Sequence, residues 1–313
     1  MTKPLKQILP ERMKRALRRP VDALARAAGY ERVKRGYPVD FRGLTDDARE
    51  AAGRAGNRPM LLKVPIADCR GLRLMAFPLT IDSPHPFVMV AREYLANRPH
   101  PYPYEGSPLQ IYYRVVQLAT AADLYGLSRP AEAAQLSALP SIAAVAPWLS
   151  APGRRVRRRR IQLARNEMAQ HGTVSRAGLV WHGMGPVPDE RGRLEMKRVC
   201  DTAASIADNG YRPASIKSHV HAKVLRANGR QVFVISSGQH RAAALAAQGY
   251  TRIPVHVSPN SVFDRDSVAQ WPAVASGALT QAQALEVFDR VFAGEQPPAV
   301  AAVWPAAWEQ PQP

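Results

Sequence analysis

The chain has 313 residues with 43 Lys/Arg against 25 Asp/Glu, a formal charge of +18; it is longer than one ordinary domain and attractive to polyanions such as nucleic acid, anionic lipid or nucleotides. Apolar residues at 46% suffice for a core, and 28 prolines call for long irregular connections. No apolar run has membrane-spanning length and no signal-peptide core follows the basic start, so a cytoplasmic protein is expected; Cys69 and Cys200, far apart and in no CxxC pair, argue against a disulfide framework or a cysteine-ligated zinc site.

From Met1 to Gly36, eleven Lys/Arg face only Glu11, Asp22 and Glu31, a local balance of +8. Leu5 to Arg35 reads as two short amphipathic helices divided at Pro20, able to pack on their own domain or to touch an anionic membrane surface. Between Met60 and Val90, the runs Met60-Leu61-Leu62-Lys63-Val64 and Phe87-Val88-Met89-Val90 have strand character. The alternate prolines of Asn97 to Gly106 predict an extended loop. Leu109 to Leu139 turns helical, and Ala121 to Ser128 has the alanine, turn glycine and following serine of a helix-turn-helix. The second helix, Pro130 to Leu136, lacks the basic or amide groups that read base edges, so an ordinary helical hairpin is expected. Six arginines fill seven positions from Arg154 to Arg160, either a solvated face or a polyanion-binding surface.

Glu195 to Asp208 reads as a helix stopped by Asn209-Gly210. An extended stretch from Pro213 to Leu225 and the run Gln231 to Ile235 flank Asn228-Gly229, a strong hairpin signal. A Ser-Ser-Gly turn follows, then a helix from about His240 to Gln248 closed by Gly249, and a strand Ile253 to Val257. At Ser236-Ser237-Gly238-Gln239-His240-Arg241 a helix opens with outward N–H groups, and that end favours an anion. Gly238 permits close approach of the chain to a phosphate, the two serines donate hydroxyls, Arg241 offers a planar fork, and His240 can donate or act as acid or base. A capped helix with Arg241 paired to a nearby carboxylate would use the same residues for structure alone.

The order of these parts resembles the N-terminal domain of ParB proteins and the related sulfiredoxin and free-serine kinase domains, over residues 175–258. The resemblance rests on the helix ending at Ser205-Ile206 and Gly210, the hairpin, Gly238-Gln239-His240-Arg241-Ala242-Ala243-Ala244, and Gly249-Tyr250-Thr251-Arg252-Ile253-Pro254-Val255. It implies a nucleotide, ATP or CTP, with Mg²⁺, whose phosphates lie on the Gly238 to Arg241 turn. ParB proteins use CTP as a clamp switch on DNA, sulfiredoxins use ATP to activate a sulfinic acid, and the serine kinases transfer a phosphoryl group. Gln239 occupies the place of the sulfiredoxin cysteine, and the stretch after Val257 offers no counterpart to the helix-turn-helix domain of ParB. The Gly-x-His-Arg form of the turn is closer to the sulfiredoxin and kinase branch.

In related kinases the catalytic carboxylate lies near the first helix of the domain. Asp189, Glu190 and Glu195 fall there; Glu195 is the first choice and Glu190 the second, although a helix N-terminus attracts acidic residues for dipole reasons alone. His219 and His221 alternate on one strand and so face the same side, which suits a metal, but no third ligand is identifiable beyond the remote candidate His182, and they are read as polar residues of a half-exposed strand.

The fold class expected is α/β (α+β). A ParB/sulfiredoxin-like nucleotide-binding domain with a small mixed sheet would occupy 171–260, after an unassigned basic α+β or helical domain at 1–150 and an Arg-rich linker or helix at 151–170. A helical appendage from Ser261, with Thr280 capping Gln281 to Phe292, and a loose Pro-rich end from Pro297 to Pro313 would complete the chain. The functional expectation is nucleotide-dependent phosphotransfer to a small molecule, saccharide or protein. The alternative is a nucleotide-switched protein that engages DNA or another polyanion through Arg154 to Arg160 and the N-terminal basic helices.

Overall fold

The computed structural model describes residues 37–170, 183–213, 215 and 218–309. The basic helices expected over Leu5 to Arg35, and His182, lie outside the described residues. Everything below belongs to one unit, Val39–Pro313.

In chain order the elements are β1 (Val39–Asp40), α1 (Ala48–Ala55), β2 (Met60–Pro65), β3 (Cys69–Gly71), β4 (Phe77–Pro78), α2 (Pro86–Asn97), α3 (Pro108–Val115), α4 (Ala121–Tyr125), α5 (Ala134–Ser137), α6 (Arg154–Gln170) and α7 (Asp189–Asn209). There follow β5 (Val220–Ala227), β6 (Arg230–Ser237), α8 (Gln239–Ala247), β7 (Arg252–Asp264), α9 (Pro272–Ala275), α10 (Gln281–Ala293), α11 (Pro298–Ala301) and α12 (Ala306–Glu309). The strands form a seven-stranded mixed sheet in the order β1-β2-β7-β5-β6-β3-β4.

That order corrects the expected division of the chain. β2 pairs antiparallel with β7 from Met60↔Val257 to Pro65↔Arg252, and β3 pairs parallel with β6 at Cys69↔Phe233. Strands from before the arginine run therefore flank strands from after it, and the C-terminal half holds no separate small sheet. The expected boundary at Pro147 to Arg160 lies within the unit, and Arg154 to Gln170 is a helix. Arg290 of α10 adds a tie: its buried guanidinium donates to the carbonyls of Leu74, Leu124 and Tyr125.

Local chemistry explains most elements. Asn228 (φ 50°) and Gly229 (φ 72°) make the left-handed two-residue turn between β5 and β6, the conformation that Asn-Gly supplies best. Thr280 and Gln283 form a reciprocal capping box at the start of α10. The run Phe87 to Val90, expected as a strand, lies in α2, since a short apolar run is ambiguous by period and the local cap decides. Pro86 takes the first turn and the His85 Nδ1 accepts from the Phe87 N–H. The helix-turn-helix candidate resolves into α4, a 3₁₀ turn at Pro130–Ala133 and the four-residue α5, with no second helix of groove-reading length.

The alanine-rich α8 is buried from Ala242 to Ala247 and lies on β3, β5 and β6, with α2 and α7 packed against it and each other. Alanines let a helix come close to a sheet, and the start of α8 is thereby held at the end of β6. The C-terminal stretch expected to be loose is ordered as α11 and α12. Its Trp304 is 1% exposed and donates Nε1–H to the Pro84 carbonyl at 2.6 Å. Among the described residues no helix is long and apolar enough to cross a membrane.

Candidate functional site

The β6–α8 turn opens onto a cleft of about 730 Å³, within the range of small-molecule sites. Gly238, at φ 80°, makes the turn. A Cβ there would meet the Val220 Cα at 3.2 Å and the Arg241 guanidinium at 3.3 Å, besides the strain of a positive φ. Ser237 and the first residues of α8 line the cleft from one side, and Glu195, Arg198, Thr202 and Ser205 of α7 line it from the other.

The helix carrying those residues begins at Asp189, six positions earlier than the sequence pattern predicts. Gly192 lies inside it because the Tyr104 ring occupies the place of a side chain: a Cβ would fall 2.0 Å from the Tyr104 Oη. Asp189 and Glu190 are exposed in the first turn, and Glu190 does not line the cleft. Glu195, in the second turn, is 1% exposed. A favourable helix dipole therefore accounts for Asp189 and Glu190 but not for Glu195.

The Glu195 carboxylate lies between two guanidinium groups and an imidazole. Its Oε1 accepts from Arg191 Nη2 at 2.7 Å and from Arg198 Nη1 at 3.0 Å, and its Oε2 lies 2.9 Å from His240 Nε2. The structure thus joins two residues singled out separately in the sequence, Glu195 and His240, across the α7–α8 contact. The edge of the Phe87 ring fixes the imidazole from a third direction, with centroids 5.0 Å apart. A buried carboxylate on one ring nitrogen sets the orientation of a histidine, and when that nitrogen donates, the lone pair resides on the other.

Two turn residues have side chains committed to the fold. The Gln239 amide accepts from Leu72 N–H at 3.1 Å and donates to Ile235 O at 2.7 Å, and the Ser236 hydroxyl donates to His221 O. Among the described residues Arg241 pairs with no carboxylate; its guanidinium donates to the Ser218 carbonyl while lining the cleft. Sequence reasoning missed Arg198, Thr202 and Ser205, although Arg191, Glu195, Arg198, Thr202 and Ser205 repeat at four- and three-residue steps, the signature of one helix face. It also missed Arg73, which reaches the Ser236 carbonyl from the far end of the sequence; nothing in its local pattern announces that.

Mg²⁺ fits poorly. Glu195 and Asp201 are the carboxylates among the described residues lining the cleft; the first is paired with Arg191 and Arg198, and the second pairs with Lys197 at 2.6 Å. No group of three or more His, Cys, Asp or Glu among the described residues could hold a metal ion. The His221 ring lies against that of His256 of β7, tilted by 44° with centroids 4.4 Å apart, and His256 is held near pKa 4 by burial, then by the charges of His221 and His219. The folded state thus refuses a proton that the unfolded chain accepts near pH 6.5, so stability should be level above that pH and fall as pH drops towards 4. By pH 5 the loss from His256 should be about 2 kcal/mol. His256→Leu should lose less stability than the parent between pH 7 and pH 5 in urea unfolding, and parallel losses would contradict this assignment. Cys69 is buried and Cys200 is pushed up to about 12 by burial, so neither is a reactive thiol.

No protein-family model, curated protein or solved structure matches the chain.

Proposed function

We propose that the cleft binds a nucleoside triphosphate, ATP or CTP, with its phosphates against the first turn of α8, and that His240 serves phosphoryl transfer to an acceptor hydroxyl. The observation that carries this reading is the His240–Glu195 pair at a cleft whose other charged groups, Arg73, Arg198, Arg212 and Arg241, are cationic apart from Asp201. Unpaired N–H groups of a helix start and arginine forks both suit phosphate oxygens. His240 would take the acceptor's proton as its oxygen attacks the terminal phosphorus and the nucleoside diphosphate leaves; Glu195 would orient the imidazole and offset its charge. Arginines would supply the charge neutralisation, and no step is assigned to Mg²⁺. The resemblance to the ParB, sulfiredoxin and serine kinase domains supports a nucleotide over another phosphate ester.

Binding of labelled ATP and CTP, with and without Mg²⁺, tests the reading. Arg198→Ala should weaken binding about tenfold or more, the worth of one charge-assisted hydrogen bond, while His240→Ala should retain binding and lose phosphoryl transfer. Failure of both nucleotides to bind at millimolar concentration would overturn the proposal.

A second reading, polyanion binding, is favoured by α6, where Arg154, Arg155, Arg157, Arg158 and Arg159 are exposed. Contact through these arginines requires duplex DNA affinity to fall steeply with salt; a flat salt dependence would remove it.

A further inference from the structure

Lys223 carries chemistry that the cleft does not use. Alternation along β5 buries Ala222 and Val224 on one face of the sheet and turns Lys223 to the other, opposite Val234 of β6. There it lines a second cavity, of about 230 Å³, with walls that include Leu74, Val145, Trp148 and Val234. Its Nζ donates to the Ser261 hydroxyl of β7 at 2.7 Å, and no carboxylate among the described residues pairs with it. Burial holds the amine below the ordinary lysine range, because a charged head loses its water against apolar walls. Ser261 serves either state: a hydroxyl accepts from an ammonium and donates to a neutral amine.

A neutral amine is the nucleophilic form of lysine, and burial is one way proteins obtain it. Lys223 is also the group that a molecule in the cavity would meet. Ser261 is 1% exposed and is not among the described residues lining the cavity, so the pair is not set for a serine nucleophile. Of the other polar lining residues, the Ser236 hydroxyl is committed to the His221 carbonyl, and the guanidinium groups of Arg73 and Arg160 are not nucleophiles at neutral pH. The cavity is smaller than the ~300–1,000 Å³ typical of drug-sized ligands, which leaves room for a single ring or a short chain. We propose that Lys223 forms an imine with a small apolar aldehyde held in this cavity, the body of the aldehyde lying against Trp148, Leu74 and Val234. The amine nitrogen bonds to the carbonyl carbon as one of its protons passes to the oxygen. The resulting hydroxyl then leaves as water with the second nitrogen-bound proton, and the C=N bond forms with no oxidant or reductant taking part. Among the described residues Lys223 does not line the cleft, so the proposal is independent of the nucleotide reading.

Benzaldehyde is a suitable probe, given to the full chain at neutral pH with cyanoborohydride, which reduces an imine to a stable secondary amine that peptide mass spectrometry locates. Lys63, exposed on β2, is the internal reference. Lys223 should be labelled about tenfold faster than Lys63 or more, since only the neutral amine reacts and the cavity holds the aldehyde beside it. Glyceraldehyde, whose body is polar, should lose that preference. Val145→Trp, which would fill the cavity, should slow labelling of Lys223 about tenfold and leave Lys63 unchanged, with circular dichroism reporting whether the variant folds. Benzyl alcohol, which would occupy the cavity without reacting, should slow Lys223 labelling in the parent itself, so the outcome does not hang on the variant. Labelling of Lys223 no faster than that of Lys63, an equal preference with glyceraldehyde, no competition by benzyl alcohol, or unchanged labelling in folded Val145→Trp would overturn the proposal.

Discussion

Glu195→Ala should lower the unfolding free energy by about 3–5 kcal/mol, the cost of breaking a buried ion pair from one side. The reason is Arg191, whose side chain is 5% exposed and whose Nη2 lies 2.7 Å from the carboxylate. Without Glu195 the buried Arg191 loses the counter-charge at 2.7 Å, whereas Arg198, one-third exposed, and His240, one-fifth exposed, can turn to water. Glu195→Gln keeps an oxygen for the arginines and should cost less. The double replacement Arg191→Met with Glu195→Leu removes both charges and should recover much of the stability lost in Glu195→Ala. It should not recover phosphoryl transfer, because His240 has then lost its orienting group. Urea unfolding of the three variants decides the structural half; Glu195→Ala within 1 kcal/mol of the parent would show that the carboxylate is not the counter-charge of Arg191. A double variant that is stable and active would remove Glu195 from the chemistry.

The same residue shows what could be read in the sequence. Elements set by short-range chemistry were legible: the Asn228-Gly229 turn, the stop at Gly210, the turn at Gly238, the N-cap at Thr280. Each is fixed by one or two residues whose backbone preference is stronger than their surroundings. Glu195 and His240 were legible as candidates, since charged and titratable groups beside a helix start are conspicuous. Their meeting was not, because it depends on the angle at which α7 packs on α8. Arg73 and the sheet order were hidden for the same reason: β2 and β3 are ordinary apolar strands, and nothing local specifies that they add to β7 and β6. The Phe87 run failed as a strand because its fully apolar character removes the periodicity that separates helix from strand, leaving the decision to His85 and Pro86.

Trp304→Ala should cost about 3–5 kcal/mol, the range for emptying a large aromatic site in a core. Its indole meets the Tyr112 ring edge-on, with centroids 5.2 Å apart, and donates to the Pro84 carbonyl. That carbonyl directly precedes His85, the cap of α2, and two residues farther on Phe87 rests against the His240 ring. The C-terminal segment is therefore a brace on the helix that backs the site, which is why α11 and α12 are folded despite their prolines. Trp304→Phe retains most of the buried area and loses the hydrogen bond, leaving the Pro84 oxygen without that donor; about 1–2 kcal/mol should be lost. Urea unfolding should order the three proteins as parent, Trp304→Phe, Trp304→Ala. If Trp304→Ala unfolds at the same urea concentration as the parent, the indole is not part of the core and the brace does not exist. If stability falls as expected, the His240 orientation should loosen with it. The imidazole resonances, compared in parent and Trp304→Phe, would then shift even though the substituted residue does not touch the cleft.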